Sequence, residues 1–107
     1  MTAYFVTRHP GAIEWAQRRG ITARRIKHLN PRRIGAGDLV LGNLPVHVVA
    51  EIIARGARYL HLVLDVPRSE RGGEWTADEM ESRLGARLVE YRVTQVVGKR
   101  DKRAASV

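Results

Sequence analysis

The chain has 107 residues, the size of one domain, with room for one modest core and no separate substrate domain. Its 19 Lys and Arg against 11 Asp and Glu give a formal net charge of +8, which points to an anionic partner, nucleic acid or nucleotide ahead of membrane. A hydrophobic fraction of 44% argues against disorder, and the lack of cysteine excludes a disulfide framework, a thiolate zinc site and a cysteine nucleophile. A chain without cysteine suits the cytoplasm. No signal peptide is expected from its start, which has no long apolar run, and its apolar stretches fall well short of the ~20 residues of a membrane span.

Residues 3–7, Ala-Tyr-Phe-Val-Thr, are β-branched and aromatic and read as a buried strand. Pro10 suits the first turn of a helix, so 12–19 read as helical, with Ile13 and Ala16 on one face and Gly20 as the stop. Residues 21–29 alternate as a second strand, and its arginines place it at an edge or on a solvated face. A loop follows from Asn30-Pro31 to Asp38. Residues 39–41 form a short strand ending at Gly42, and Asn43-Leu44-Pro45 opens a helix over 46–55 that Gly56 closes. Residues 58–64 are apolar almost throughout, as a central parallel strand should be. A long polar loop covers 65–75. Thr76 and Glu79 have capping-box spacing and start a helix of about two turns that ends at Gly85, and 86–97 alternate as a last strand. The alternation of strands and helices predicts a small Rossmann-like α/β domain over 1–97, with a mostly parallel sheet flanked by helices, followed by a basic flexible tail at 98–107.

The charge is uneven. Residues 1–33 carry eight bases and one acid, 34–98 seven bases and nine acids, and the tail four bases and one acid. Open α/β sheets bind ligands beyond the carboxyl ends of their strands, beside helix N-termini. Three segments occupy such ends: Thr7, Arg8, His9 and Gly11 after the first strand; Asn43, Leu44, Pro45 and His47 after the third; Asp65, Arg68, Arg71 and Gly72 after the fourth. They supply guanidinium forks, imidazoles and free amide groups, the parts of a phosphate site. Each has a plainer reading. Arg8 is equally a surface arginine, His9 a helix cap, His47 a packed helix residue, His28 a solvated strand residue and His61 a core or interface residue. Trp75 is either core or a surface on which a base stacks. Four histidines without ligand spacing make a poor metal site, and Gly35, Gly37 and Gly42 precede or end a strand with the wrong spacing for a dinucleotide fingerprint, so no metal and no cofactor are expected.

Residues 4–15, Tyr-Phe-Val-Thr-Arg-His-Pro-Gly-Ala-Ile-Glu-Trp, with Gly37-Asp-Leu-Val-Leu-Gly42, Leu44-Pro-Val-His47, residues 56–67 and Arg71-Gly72, resemble the CRISPR-associated family of the Csx-sixteen type. The resemblance runs from about Tyr4 to Val93. It implies a CARF-related fold, a homodimer, and a metal-independent ring nuclease of type III CRISPR defence that cleaves cyclic oligoadenylate, most of all cyclic tetra-adenylate. In such a reaction the ribose 2′-hydroxyl attacks the adjacent phosphorus and leaves a 2′,3′-cyclic phosphate. Mapped on the strand-end residues, Arg8 and Arg71 would hold phosphates, His9 or His47 would move protons, and Thr7 and Asn43 would bond the ribose-phosphate backbone. Gly11, Leu44, Pro45, Asp65, Arg68 and Gly72 complete the expected binding set, with neither a membrane nor a long nucleic acid as specific partner. Two rivals stand beside this reading: a non-catalytic module that binds the cyclic nucleotide, and a general nucleic-acid binder that uses the basic first third and the tail.

Overall fold

A computed structural model of the chain describes residues 1–96. The expected basic tail and the last residue of the expected final strand, Val97, lie outside them. In chain order the elements are β1 (Ala3–Val6), α1 (Pro10–Arg18), β2 (Arg24–Ile26), β3 (Leu39–Gly42), α2 (Val46–Ala54), β4 (Arg58–Val63), α3 (Ala77–Ser82) and β5 (Arg87–Tyr91), with short 3-10 turns at Pro31–Arg33 and Arg68–Glu70. The five strands form one sheet in the order β2-β1-β3-β4-β5. The first four run parallel, and β5 runs antiparallel to β4. This is the expected mostly parallel α/β sheet flanked by helices.

Alternation along the strands sends side chains to two different cores. Phe5, Leu41 and Leu62 point to one face, where α1 covers them with Trp15 and Ala16, α3 with Met80, and the turn after α3 with Leu84. Val40 and Tyr59 point to the other, where α2 supplies Val49 and Ile52, and Ile34 packs beside them. In α1 the buried stripe is Ala12, Trp15 and Ala16 rather than the expected Ile13 and Ala16. The large indole sets the rotation of this helix, and Ile13 is left half-buried. The capping box of α3 forms as expected: Thr76 Oγ1 accepts from Glu79 N–H at 3.1 Å, and Glu79 Oε1 accepts from Thr76 N–H at 3.1 Å.

Three expected strands change. The second is three residues long instead of nine, and it is indeed an edge. Among the described residues its only partner is the four-residue β1, so pairing runs from Tyr4 opposite Arg24 to Val6 opposite Ile26 and ends where β1 ends. Ile21 and Ala23 pack against the α1 core instead of extending the ladder. The apolar strand β4 is interior but not central, lying between β3 and β5. Its run of apolar residues reflects cover on both faces, which a strand one place from the edge also receives. The last strand stops at Tyr91 and is antiparallel, a direction that alternation alone does not encode.

Polar contacts tie the layers together. Glu81 accepts from Trp15 Nε1 at 2.7 Å and pairs with Arg19 at 2.8 Å, which joins α3 to α1, and the Arg19 guanidinium lies 5.0 Å from the centre of the Trp15 ring. Arg18 bridges Glu14 and Asp78 across the same seam. Asp38 accepts from Thr2 N–H at 3.0 Å and Gly35 N–H at 2.9 Å, fixing the entry to β3 beside the start of β1. Among the described residues no helix is long and apolar enough to cross a membrane.

These contacts predict a direction for acid unfolding. Backbone amides of Gly35 and Thr2 lower the Asp38 carboxyl below its ordinary value. Arg83 does the same for Glu70, the Thr76 amide for Glu79, Arg19 for Glu81 and Arg58 for Glu90. A carboxyl lowered on folding adds stability above its unfolded value of about 4 and loses it as the pH falls toward the folded value. Thermal melts should therefore fall progressively below about pH 4.5. A melting temperature that rises on acidification through that range contradicts this account.

Candidate functional site

Turns that leave the carboxyl ends of β1, β3 and β4 surround a cleft of about 430 Å³. That volume is in the lower part of the range of small-molecule sites. Thr7 and His9 enter it from the β1–α1 turn, Asn43 from the β3–α2 turn and His61 from β4, and Val63, Val66, Trp75 and Met80 supply apolar walls. The polar groups are thus few and gathered at the strand ends, as the topology of such sheets dictates.

His9 occupies the N-cap position of α1, yet its side chain makes no capping bond. Thr7 Oγ1 instead accepts from the His9 N–H at 3.1 Å, so the turn is held by the threonine and the imidazole is left to face the cleft. Asn43 Nδ2 donates to the carbonyl of Leu62 and lies 3.3 Å from His61 Nε2. On the other side of that ring, His61 Nδ1 is 2.6 Å from the hydroxyl of Tyr59. Tyr59 is 2% exposed, and its hydroxyl donates to the Gly42 carbonyl at 2.9 Å and accepts from Leu44 N–H at 2.9 Å. Burial pushes this hydroxyl above its ordinary value, and the Leu44 amide partly offsets the shift. Tyr91 closes the other flank, its ring meeting His61 edge-on at 6.0 Å between centroids.

The structure brings together Thr7, His9 and Asn43 from the expected set. The others lie elsewhere. The Arg8 guanidinium faces His28, Nη2 to Nδ1 at 3.4 Å, toward the β2 edge. His47 is exposed in the first turn of α2 and lines a separate groove with Val93 and Thr94. Leu44 acts through its amide on Tyr59, and Pro45 is the N-cap residue of α2. Asp65 pairs with Arg87 at 2.9 Å. Arg68, Arg71 and Gly72 are exposed around the 3-10 turn Arg68–Glu70. Gly11 is required by close packing: a Cβ there would stand 2.0 Å from the Trp75 carbonyl oxygen.

His61 is the cleft residue that an apolar strand disguises. One signal was present: Tyr59 and His61, two apart in a strand, share a face, and β4 ends two residues later. Trp75 is half-buried, packs against the α1 core and forms part of the cleft wall. Among the described residues no group of three or more His, Asp or Glu is placed to hold a metal ion.

A family model with the description "Putative CRISPR-associated protein (Cas_VVA1548)" matches residues 4–94. No curated protein and no solved structure gives a significant match.

Gly11→Ala should force α1 away from Trp75 and cost about 1–3 kcal/mol, the usual range for overpacking. Gly35→Ala, whose Cβ would meet nothing nearer than Asp38 Oδ2 at 3.9 Å, is the comparison and should stay within about 0.5 kcal/mol of the parent. Urea unfolding of both variants measures the difference.

Proposed function

We propose a function on one premise: the chain belongs to this CRISPR-associated family, whose model covers most of its length. The function is that of a ring nuclease of the Csx-sixteen type, acting in the cytoplasm on cyclic oligoadenylate, cyclic tetra-adenylate above all, in type III CRISPR defence. The observation that carries this reading is the cleft at the strand ends, where two imidazoles stand with a threonine and an asparagine against an apolar wall that includes Trp75. Such a wall suits an adenine ring, and the polar edge suits a ribose-phosphate.

The reaction asks for positioning and proton transfer. The ribose 2′-hydroxyl loses its proton to a base and attacks the adjacent phosphorus, the bond from phosphorus to the 5′-oxygen breaks, and an acid protonates that oxygen. The products are a 2′,3′-cyclic phosphate and a free 5′-hydroxyl. His9 and His61 are the cleft's proton carriers, while Thr7 and Asn43 orient the sugar and phosphate. Arg8 and Arg71, outside the cleft wall, serve the phosphates that extend beyond it. One cleft of about 430 Å³ is too small for four linked nucleotides, which supports a homodimer whose two clefts share one ring. A relation to the CARF fold accords with the parallel sheet and with this position of the cleft.

One observation favours a second reading. Arg24, Arg25 and Lys27 on and just after the edge strand β2, with Arg33 beside them, form no ion pair among the described residues, whose ion pairs join other elements. That edge suits a polyanion such as long RNA, whose binding would weaken steeply with salt.

Incubation of the purified chain with cyclic tetra-adenylate in EDTA should give linear products ending in 2′,3′-cyclic phosphate, resolved by liquid chromatography and mass spectrometry. His61→Ala should lower kcat by about 10²–10⁴-fold, the usual share of a positioned base. No cleavage with or without added metal overturns the enzyme, and binding of the intact ring leaves a sensor.

A further inference from the structure

We propose that Tyr59 is a positioning residue that holds His61 as the tautomer protonated on Nδ1, so that the Nε2 lone pair is the proton acceptor of the cleft. The role given to Nε2 rests on the nuclease reading above; the tautomer does not.

Two hydrogen-bond arguments, one on each side of the ring, lead to the same proton position. A phenol has one proton and two lone pairs. The Tyr59 hydroxyl has three neighbours: the Leu44 amide, which can only donate, the Gly42 carbonyl, which can only accept, and His61 Nδ1 at 2.6 Å. Leu44 takes one lone pair and Gly42 takes the proton, so what remains for Nδ1 is a lone pair. Nδ1 therefore carries a hydrogen and donates. On the opposite side, Asn43 must turn its amide nitrogen toward the Leu62 carbonyl, because that carbonyl only accepts. The same nitrogen lies 3.3 Å from Nε2 and has its second hydrogen left to give. Nε2 therefore accepts and carries no hydrogen.

The device works because Tyr59 is buried and cannot trade these partners for water. Among the described residues the side chains in contact with His61 are Tyr59 on its own strand, Tyr91 from β5, and Asn43 from the β3–α2 turn, with no carboxylate, lysine or arginine among them. Free histidine favours the opposite tautomer, with the hydrogen on Nε2. A chain that imposes the rarer form at a ligand cleft is preparing a base, as an orienting partner does for a general-base histidine.

The experiment is a long-range proton–nitrogen NMR spectrum of the whole chain labelled with 15N-histidine, recorded without ligand above the titration range of histidine. His61 should show a protonated Nδ1 and an unprotonated Nε2. Tyr59→Phe should return the ring to a mixture dominated by the Nε2–H form, whereas Asn43→Asp, whose carboxylate can only accept while Tyr59 still requires a hydrogen on Nδ1, should place a hydrogen on both nitrogens. A native spectrum with hydrogen on Nε2 overturns the proposal, as does a folded Tyr59→Phe chain with an unchanged tautomer. If Tyr59→Phe does not fold, the native and Asn43→Asp spectra decide. Turnover of cyclic tetra-adenylate is the second readout: Tyr59→Phe should lower kcat by about 10²-fold, the lower end of what a placed base provides, with KM unchanged. A native chain that shows the tautomer but cleaves nothing overturns the nuclease reading and leaves the positioning role standing.

Discussion

A single buried hydroxyl holds the ligand end of this sheet together. The Tyr59 oxygen bonds the last residue of β3, the turn that leads into α2, and a side chain of β4. A polar atom placed so deeply must find its partners inside the protein, so the partners are fixed as firmly as the tyrosine. The Gly42 carbonyl, the Leu44 amide and the His61 ring therefore share one geometry, and Asn43, between the first two in the chain, is carried with them to the Leu62 carbonyl. The position of the cleft's polar wall follows from that arrangement.

The distribution of charge follows a different logic. The ion pairs of the described residues gather on α1 with α3, on the paired strands β4 and β5, and around the loop from 65 to 76. They join neighbouring elements at the surface, where water screens them. The acids are thereby used away from β2, whose arginines are left with a net positive edge. Such an edge also resists pairing with another strand, since like charges on both sides oppose approach. Within the described residues the charge is thus balanced over most of the surface, with its excess concentrated along one side.

Much of the architecture was legible because local rules fixed it. Pro10 starts α1, Thr76 and Glu79 cap α3, and the β-branched run of β1 leads straight into the turn that bears Thr7 and His9. The strand-end rule found the cleft without any side-chain coordinates. What it could not assign were directions and distant neighbours. Arg8 follows an apolar strand, as a phosphate ligand would, but β2 brings His28 beside it from twenty residues away. His61 was hidden because β4 is covered on both faces, so a histidine among apolar residues reads as core. Its role depends on Gly42, Asn43 and Leu44, which come from another strand and the turn after it. The length of β2 was set by β1, and no property of residues 21–29 reveals the length of a partner.

The reversed direction of β5 has a consequence for how this fold can vary. Because β4 and β5 are antiparallel neighbours, the chain between them leaves and returns at the same end of the sheet, the end that carries the cleft. Its two feet are fastened together, Asp65 N–H to the Leu84 carbonyl at 2.8 Å and Asp65 to Arg87. Between those feet the chain runs through the loop 66–75, which brings Val66 and Trp75 to the cleft wall, before α3 returns it to the core. Lengthening such a loop carries only a slowly growing entropic cost and leaves strand register alone. This segment is therefore the natural cassette for divergence, where insertions and exchanges can reshape what the cleft admits while the tyrosine and histidine beneath it stay in place.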